Sequence, residues 1–216
     1  MSDIFNEVDE EVRREQLKKL WERYSNLIIG AAILVVAAVA AWRGYEYWQA
    51  RKAAEAGAAF EVAQKLSEEG KHAEAEEAFG KIAAQGTSGY RLLARMRQAA
   101  ELGATDPKAG VAAFDAIAGE PGPSLLRELA TIRAAFLVLD TAKFDEMVQR
   151  LEPLTRSESA YRHTARELLA LSAWRNGDAA AARKWAEAAA DDPLSPQGVR
   201  SRVEVLNSLL ADAGKP

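Results

Sequence analysis

Nineteen consecutive residues, from Tyr24 to Trp42, carry no charge, and Leu27, Ile28, Ile29, Ile33, Leu34, Val35, Val36 and Val39 give the run an apolar centre. A helix of that length rises about 28 Å, enough to cross the hydrocarbon core of a bilayer. No other stretch approaches this hydropathy, so the chain reads as a short tail, one transmembrane helix and a soluble body. Trp21 and Tyr24 stand at one end of the run and Trp42, Tyr45, Tyr47 and Trp48 at the other, as aromatic belts do at the two membrane interfaces.

Basic residues set the expected orientation. Arg13, Arg14, Lys18, Lys19 and Arg23 precede the run, whereas only Arg43, Arg51 and Lys52 follow it over a similar distance. The positive-inside bias then keeps the N-terminus cytoplasmic and exports the body. A cleavable signal peptide is the competing reading, because Ala38-Val39-Ala40 satisfies the small-x-small rule. A signal n-region is short and basic, however, and the segment here is long and holds Asp3, Glu7, Asp9, Glu10, Glu11, Glu15 and Glu22. An uncleaved anchor is the better physical account. The expected organisation is a cytoplasmic tail at 1–23, an anchor with its aromatic belts at 24–48 and a periplasmic domain at 49–216. The tail also carries Ile4, Phe5, Val8, Val12, Leu17, Leu20 and Trp21 as a helical stripe, which either lies on the membrane face or a partner helix or is simply solvated.

About 165 residues follow the anchor, sufficient for one domain with a core. Hydrophobic residues make up 49% and charged residues 28%, a globular balance. A net charge of −4 gives no basic field for wrapping nucleic acid, so that partner class is set aside. With no cysteine there is no disulfide, thiol nucleophile or thiolate metal site.

From Ala53 onward alanines abound and apolar residues return every three or four positions, which is helical periodicity. Breaks at Gly70, 86–89, 103–107, 119–123, 140–141, 155–157, 176–178 and 191–193 outline antiparallel helix pairs. The second helices align on an i, i+4, i+7 set: Ala75, Phe79, Ile82; Gly110, Phe114, Ile117; Met147, Leu151, Leu154; Ala182, Ala186, Ala189. Steps of 35, 37 and 35 residues separate the sets, close to the tetratricopeptide period of about 34. An ordinary alanine-rich bundle produces such sets by chance, and the shared interval is what favours an all-α solenoid of about four pairs. Residues 197–210, with Val199, Val203, Leu206 and Leu210 on one face, are expected to cap the last pair.

Chemistry-bearing motifs are missing. His72 and His163 are too few for a histidine metal cage and read as surface residues. Gly70-Lys71 and Gly80-Lys81 continue into His72 and Ile82, so no phosphate loop is signalled. The acidic run Glu68, Glu69, Glu74, Glu76, Glu77 reads as a solvated face. The expectation is a binding protein, not an enzyme, without catalytic, cofactor or metal residues. Solenoids of this type bind on the side lined by the first helix of each pair. That criterion selects Phe60 and Gln64, then Tyr90, Leu93 and Arg97, then Ile132 and Phe136, and finally Leu171, Trp174 and Arg175. Aromatic and arginine side chains suit polypeptide ligands; the alternative for Phe136, Leu171 and Trp174 is that they fill the core between repeats.

The order of features resembles a known family. A charged tail, an anchor closing in Trp42-Arg43 with Tyr47-Trp48 beyond, an alanine-rich helix at 53–66, Tyr90 opening a helix pair, and Gly177-Asp178-Ala179-Ala180-Ala181-Ala182-Arg183 with Trp185 together resemble the bacterial ancillary SecYEG translocon subunit family. The resemblance implies an inner-membrane protein with a periplasmic tetratricopeptide-repeat-like domain. It also implies association with the SecYEG translocon, periplasmic chaperones and unfolded client polypeptides, with ATP-independent, chaperone-like help to newly translocated chains. A scaffold for another envelope complex, in division or outer-membrane assembly, would use the same fold.

Overall fold

No proline occurs before Pro107, so none interrupts the helix that carries the apolar run before the break at Gly70. The computed structural model describes residues 3–212, with side chains from Arg14 onward except those of Gln16, Leu20 and Asp212. Helix α1 spans Asp3–Glu68 without interruption. The chain divides into two compact units with their boundary between Ala54 and Glu55. The stretch Trp21–Glu68 of α1 is the one helix among the described residues that is long and apolar enough to cross a membrane, its most apolar 18 residues having mean hydropathy 2.2. Leu27, Ile28, Ile29, Ile33, Leu34, Val35, Val36, Val39 and Trp42 are all exposed there, by 47% to 70%. Apolar on every side and unburied by the rest of the described chain, this run is a candidate membrane span. The stripe expected in the tail falls partly outside the described side chains, at Ile4, Phe5, Val8, Val12 and Leu20.

The second unit is built of helix pairs. The end of α1 pairs with α2 (His72–Gln85), α3 (Ser88–Thr105) with α4 (Pro107–Gly119), α5 (Ser124–Val138) with α6 (Phe144–Leu151), and α7 (Arg162–Arg175) with α8 (Ala179–Ala190); α9 (Gln197–Asp212) closes the array. Every expected break falls at a helix boundary, although the one at 103–107 narrows to Asp106 because α3 runs on to Thr105 and α4 starts at Pro107, and no strand occurs among the described residues.

Local chemistry explains the turns. Gly70 and Gly177 take φ of 73° and 81° at the first and fourth turns. There Lys71 N–H donates to Leu66 O at 2.9 Å and Asp178 N–H to Ala173 O at 2.9 Å, the six-to-one bond of a glycine-terminated helix. Asp178 then caps α8 by accepting from Ala181 N–H at 2.9 Å. Asp106 caps α4 by accepting from Lys108 and Ala109 N–H at 3.0 and 3.1 Å, with Pro107 preset as the first helical residue.

The second-helix sets are the cores. Ala75, Phe79 and Ile82 pack with Ala63 of α1 and with Ala94 of the next pair's first helix. Phe114 and Ile117 pack with Ala99 and with Ala130 and Ala134 of α5. Met147 and Leu151 pack with Ile132, Ala135, Ala165, Leu168 and Leu169, drawn from α5 and α7. Ala182, Ala186 and Ala189 pack with Ala170 and Ala173, and here α9 supplies the missing neighbour through Val199, Val203, Leu206 and Leu210. Leu154 is the one member of the four sets left half-buried, because Pro153 turns the end of α6 into a short 3₁₀ segment, Glu152–Thr155. Gly110 has its own reason: a Cβ there would come within 2.7 Å of Gly103 N, so α3 and α4 touch backbone to backbone.

Truncation at Asp192 is expected to expose the alanine face of α8 and to lower both solubility and melting temperature relative to a 51–216 fragment. Leu206→Ala within that fragment should cost about 2–5 kcal/mol in chemical denaturation, the usual range for a buried leucine truncated to alanine.

Candidate functional site: the first-helix groove

Each second helix packs between two first helices, and the first helices keep an outward face that carries most of the residues expected to bind. Phe60, Leu93, Arg97 and Arg133 share a cavity of about 370 Å³ with the apolar side chains of Met96 and Phe114 beneath them and Leu126 and Leu129 beside them. Phe60 is half-buried: its ring meets Phe79 edge-on at 5.1 Å between centroids and lies 5.9 Å from Tyr90. Tyr90 in turn lies against Gly57, where a Cβ would come 2.9 Å from its hydroxyl. These two aromatic residues are therefore packed and half-buried, whereas Leu93 and Arg97 are exposed. Gln64 donates to Glu68 at 3.1 Å along its own helix.

Further along, Phe136 and Trp174 are exposed by 51% and 46%. Leu171 is half-buried against the last core. Arg175 is exposed and donates to Ala142 O, tying α7 to the residues before α6. Ile132 does not belong to the groove. It is 3% exposed and sits in the third core, while its neighbour Arg133 faces out. Successive helix positions turn by about 100°, so one residue separates core from surface.

Sequence reasoning missed a set of polar ties between neighbouring elements. Glu101 is buried and accepts from Ser67 Oγ at 2.6 Å, with His72 Nδ1 2.7 Å from its other oxygen. Arg150 pairs with Asp115, and Arg202 of α9 with the buried Glu167. Both pairs are separated by 35 residues, one repeat length, and charge complementarity at that interval is the signal that finds them. Asp192, within the expected break at 191–193, is a hub: Arg162 Nε donates to it at 2.9 Å, Arg166 Nη1 at 3.1 Å and Leu194 N–H at 3.0 Å. The Arg162 hydrogen bond holds its carboxyl well below the usual carboxylate range. His163 is buried beside it, not at the surface, and burial holds the imidazole below its ordinary value despite Asp192 Oδ2 at 3.6 Å.

The paired helices, the shared cores and the outward first-helix face agree with what sequence comparison finds: a family model described as tetratricopeptide repeat-like domain matches residues 18–207. The chain belongs to that family. No curated protein and no solved structure matches it. The family match includes the uncharged stretch of α1 as well as every helix pair. In tetratricopeptide-like domains the all-helical fold serves protein–protein contact, and the groove is where this one offers exposed apolar and cationic side chains together.

Both titrating groups make the body less stable in acid. His163 favours the neutral form when folded, so its contribution is complete above about pH 6.5 and declines as pH falls below that value. Asp192 favours the anion, so its contribution is complete above about pH 4 and declines below it. Thermal melts followed by circular dichroism from about pH 8 to about pH 3 should fall in two stages. His163→Leu flattens the upper stage, and Asp192→Asn flattens the lower while lowering the melting temperature at neutral pH.

Proposed function

We infer that this is a membrane-anchored, periplasmic polypeptide-binding protein of the ancillary SecYEG translocon type. The observation that carries the reading is the exposure of Leu93, Phe136 and Trp174 along the first-helix side of a body whose cores are otherwise closed. Large apolar side chains held open on a rigid scaffold suit segments of non-native chains, which present apolar groups and unpaired backbone. The uncharged run, its aromatic ends and the surplus of basic residues before it support a single pass with the N-terminus in the cytoplasm.

Tethering supplies the rest of the mechanism. A body confined to the membrane surface meets emerging chains at high effective concentration, so each groove contact can be weak. Weak contacts release their clients spontaneously, and no nucleotide-driven step is needed. Residues 27–42 and their flanks carry the translocon contact, which leaves the groove free.

Full-length protein in nanodiscs should suppress aggregation of a denatured outer-membrane protein. Phe136→Ala with Trp174→Ala is expected to weaken that activity by roughly tenfold, with the melting curve nearly unchanged because both side chains are half exposed. Replacing the span by an unrelated apolar helix should abolish co-purification with the translocon and retain client binding. Protease added to spheroplasts should remove the body and spare the tail before Arg23. A protein that holds no client yet still assembles with envelope proteins would instead be a scaffold.

A further inference from the structure

We propose that the groove shared by α1, α3 and α5 selects extended polypeptide segments in which an aspartate or glutamate neighbours an apolar residue, the carboxylate being held by Arg97 and Arg133. This rests on the polypeptide-binding reading above and names the chemistry of its ligand.

The body uses most of its guanidinium groups internally. Arg95 grips Glu120, Arg150 grips Asp115, Arg162 and Arg166 grip Asp192, and Arg202 grips Glu167. Arg127, Arg175, Arg183 and Arg200 donate to backbone carbonyls. Arg97 and Arg133 are exposed and make no hydrogen bond or ion pair among the described residues, and they line the same cavity of about 370 Å³. They also occupy the same register of successive repeats. Leu93 precedes Arg97 by four residues as Leu129 precedes Arg133, so the leucine-then-arginine pattern recurs after 36 residues. In the first pair that register holds Glu61, which confines the positive field to the second and third pairs.

Two like charges facing one partly apolar cavity repel each other, and an anion between them relieves that repulsion. Guanidinium groups grip a carboxylate with paired, charge-assisted hydrogen bonds, and the surrounding apolar wall strengthens the attraction relative to open water. The floor of Phe60, Met96 and Phe114 offers burial to an adjacent apolar side chain. The cavity is at the small end of the roughly 300–1,000 Å³ range of ligand sites, which suits side chains of an extended segment better than a folded surface.

The test uses full-length protein in nanodiscs of zwitterionic lipid and fluorescence anisotropy with labelled peptides. The peptides carry the same Leu and Phe residues and differ only in bearing Glu, Gln or Lys between them. The Glu peptide should bind roughly tenfold more tightly than the Gln peptide, and Arg97→Gln with Arg133→Gln should erase that preference. Arg91→Gln, whose side chain is equally unpaired among the described residues but lies outside this cavity, should leave it intact. Arg97→Glu with Arg133→Glu should shift preference to the Lys peptide, a gain that a misfolded protein cannot mimic. Equal binding of the Glu and Gln peptides, unaffected by the Gln variants, overturns the ligand chemistry and leaves a polypeptide groove standing. Absence of binding by any peptide overturns the polypeptide reading itself. Self-association that disappears in the Arg97→Gln, Arg133→Gln variant would make a second copy of the chain the occupant and also overturn the proposal.

Discussion

The body depends on one contact made repeatedly: the inward side chains of each second helix are buried between their own first helix and the first helix of the following pair. Ala63 and Ala94 do this for Phe79, and Ala99 with Ala130 and Ala134 does it for Phe114. Alanine is small enough to let a large side chain from the facing helix fill the space, and where two backbones must meet, only Gly103 and Gly110 fit. A pair without a successor would leave half of its core in water. The array therefore ends in α9, whose Val199, Val203, Leu206 and Leu210 take the part of a next first helix.

The same arrangement decides which first-helix side chains stay exposed. Two faces of each first helix are spent on cores, so a narrow outward stripe remains, and it carries Leu93, Arg97, Arg133, Phe136 and Trp174. Polar ties hold the pairs in register without covering that stripe. Glu101 gathers Ser67 and His72 at the first turn, Asp115 holds Arg150, and Glu167 holds Arg202 of the closing helix. The groove is thus open and its frame fixed, a combination that lets weak ligands bind without reorganising the protein. In the function proposed above, the candidate membrane span tethers this groove, and tethering offsets low affinity.

Much of this was legible in the residues themselves. Helix punctuation follows from local chemistry: glycine takes the positive φ at Gly70 and Gly177, and Asp106 and Asp178 supply caps within their own turns. The inward sets follow from periodicity, since residues three and four apart share a face whatever that face touches. All four sets, the closing helix and the apolar span are therefore properties of the chain alone, and so is the length of the repeat.

Tertiary packing decided which face meets which neighbour. Ile132 and Arg133 are adjacent in sequence, yet one is core and the other lines the groove, because α5 is fixed by contacts from α3, α4, α6 and α7 at once. His163 reads as an ordinary exposed residue until α7 packs against the segment bearing Asp192, twenty-nine positions away, and burial takes water from its imidazole. Phe60 and Tyr90 became packed and half-buried, and Arg97 with Arg133 became an unpaired set. Such assignments rest on distances between residues a repeat apart, which local periodicity does not encode.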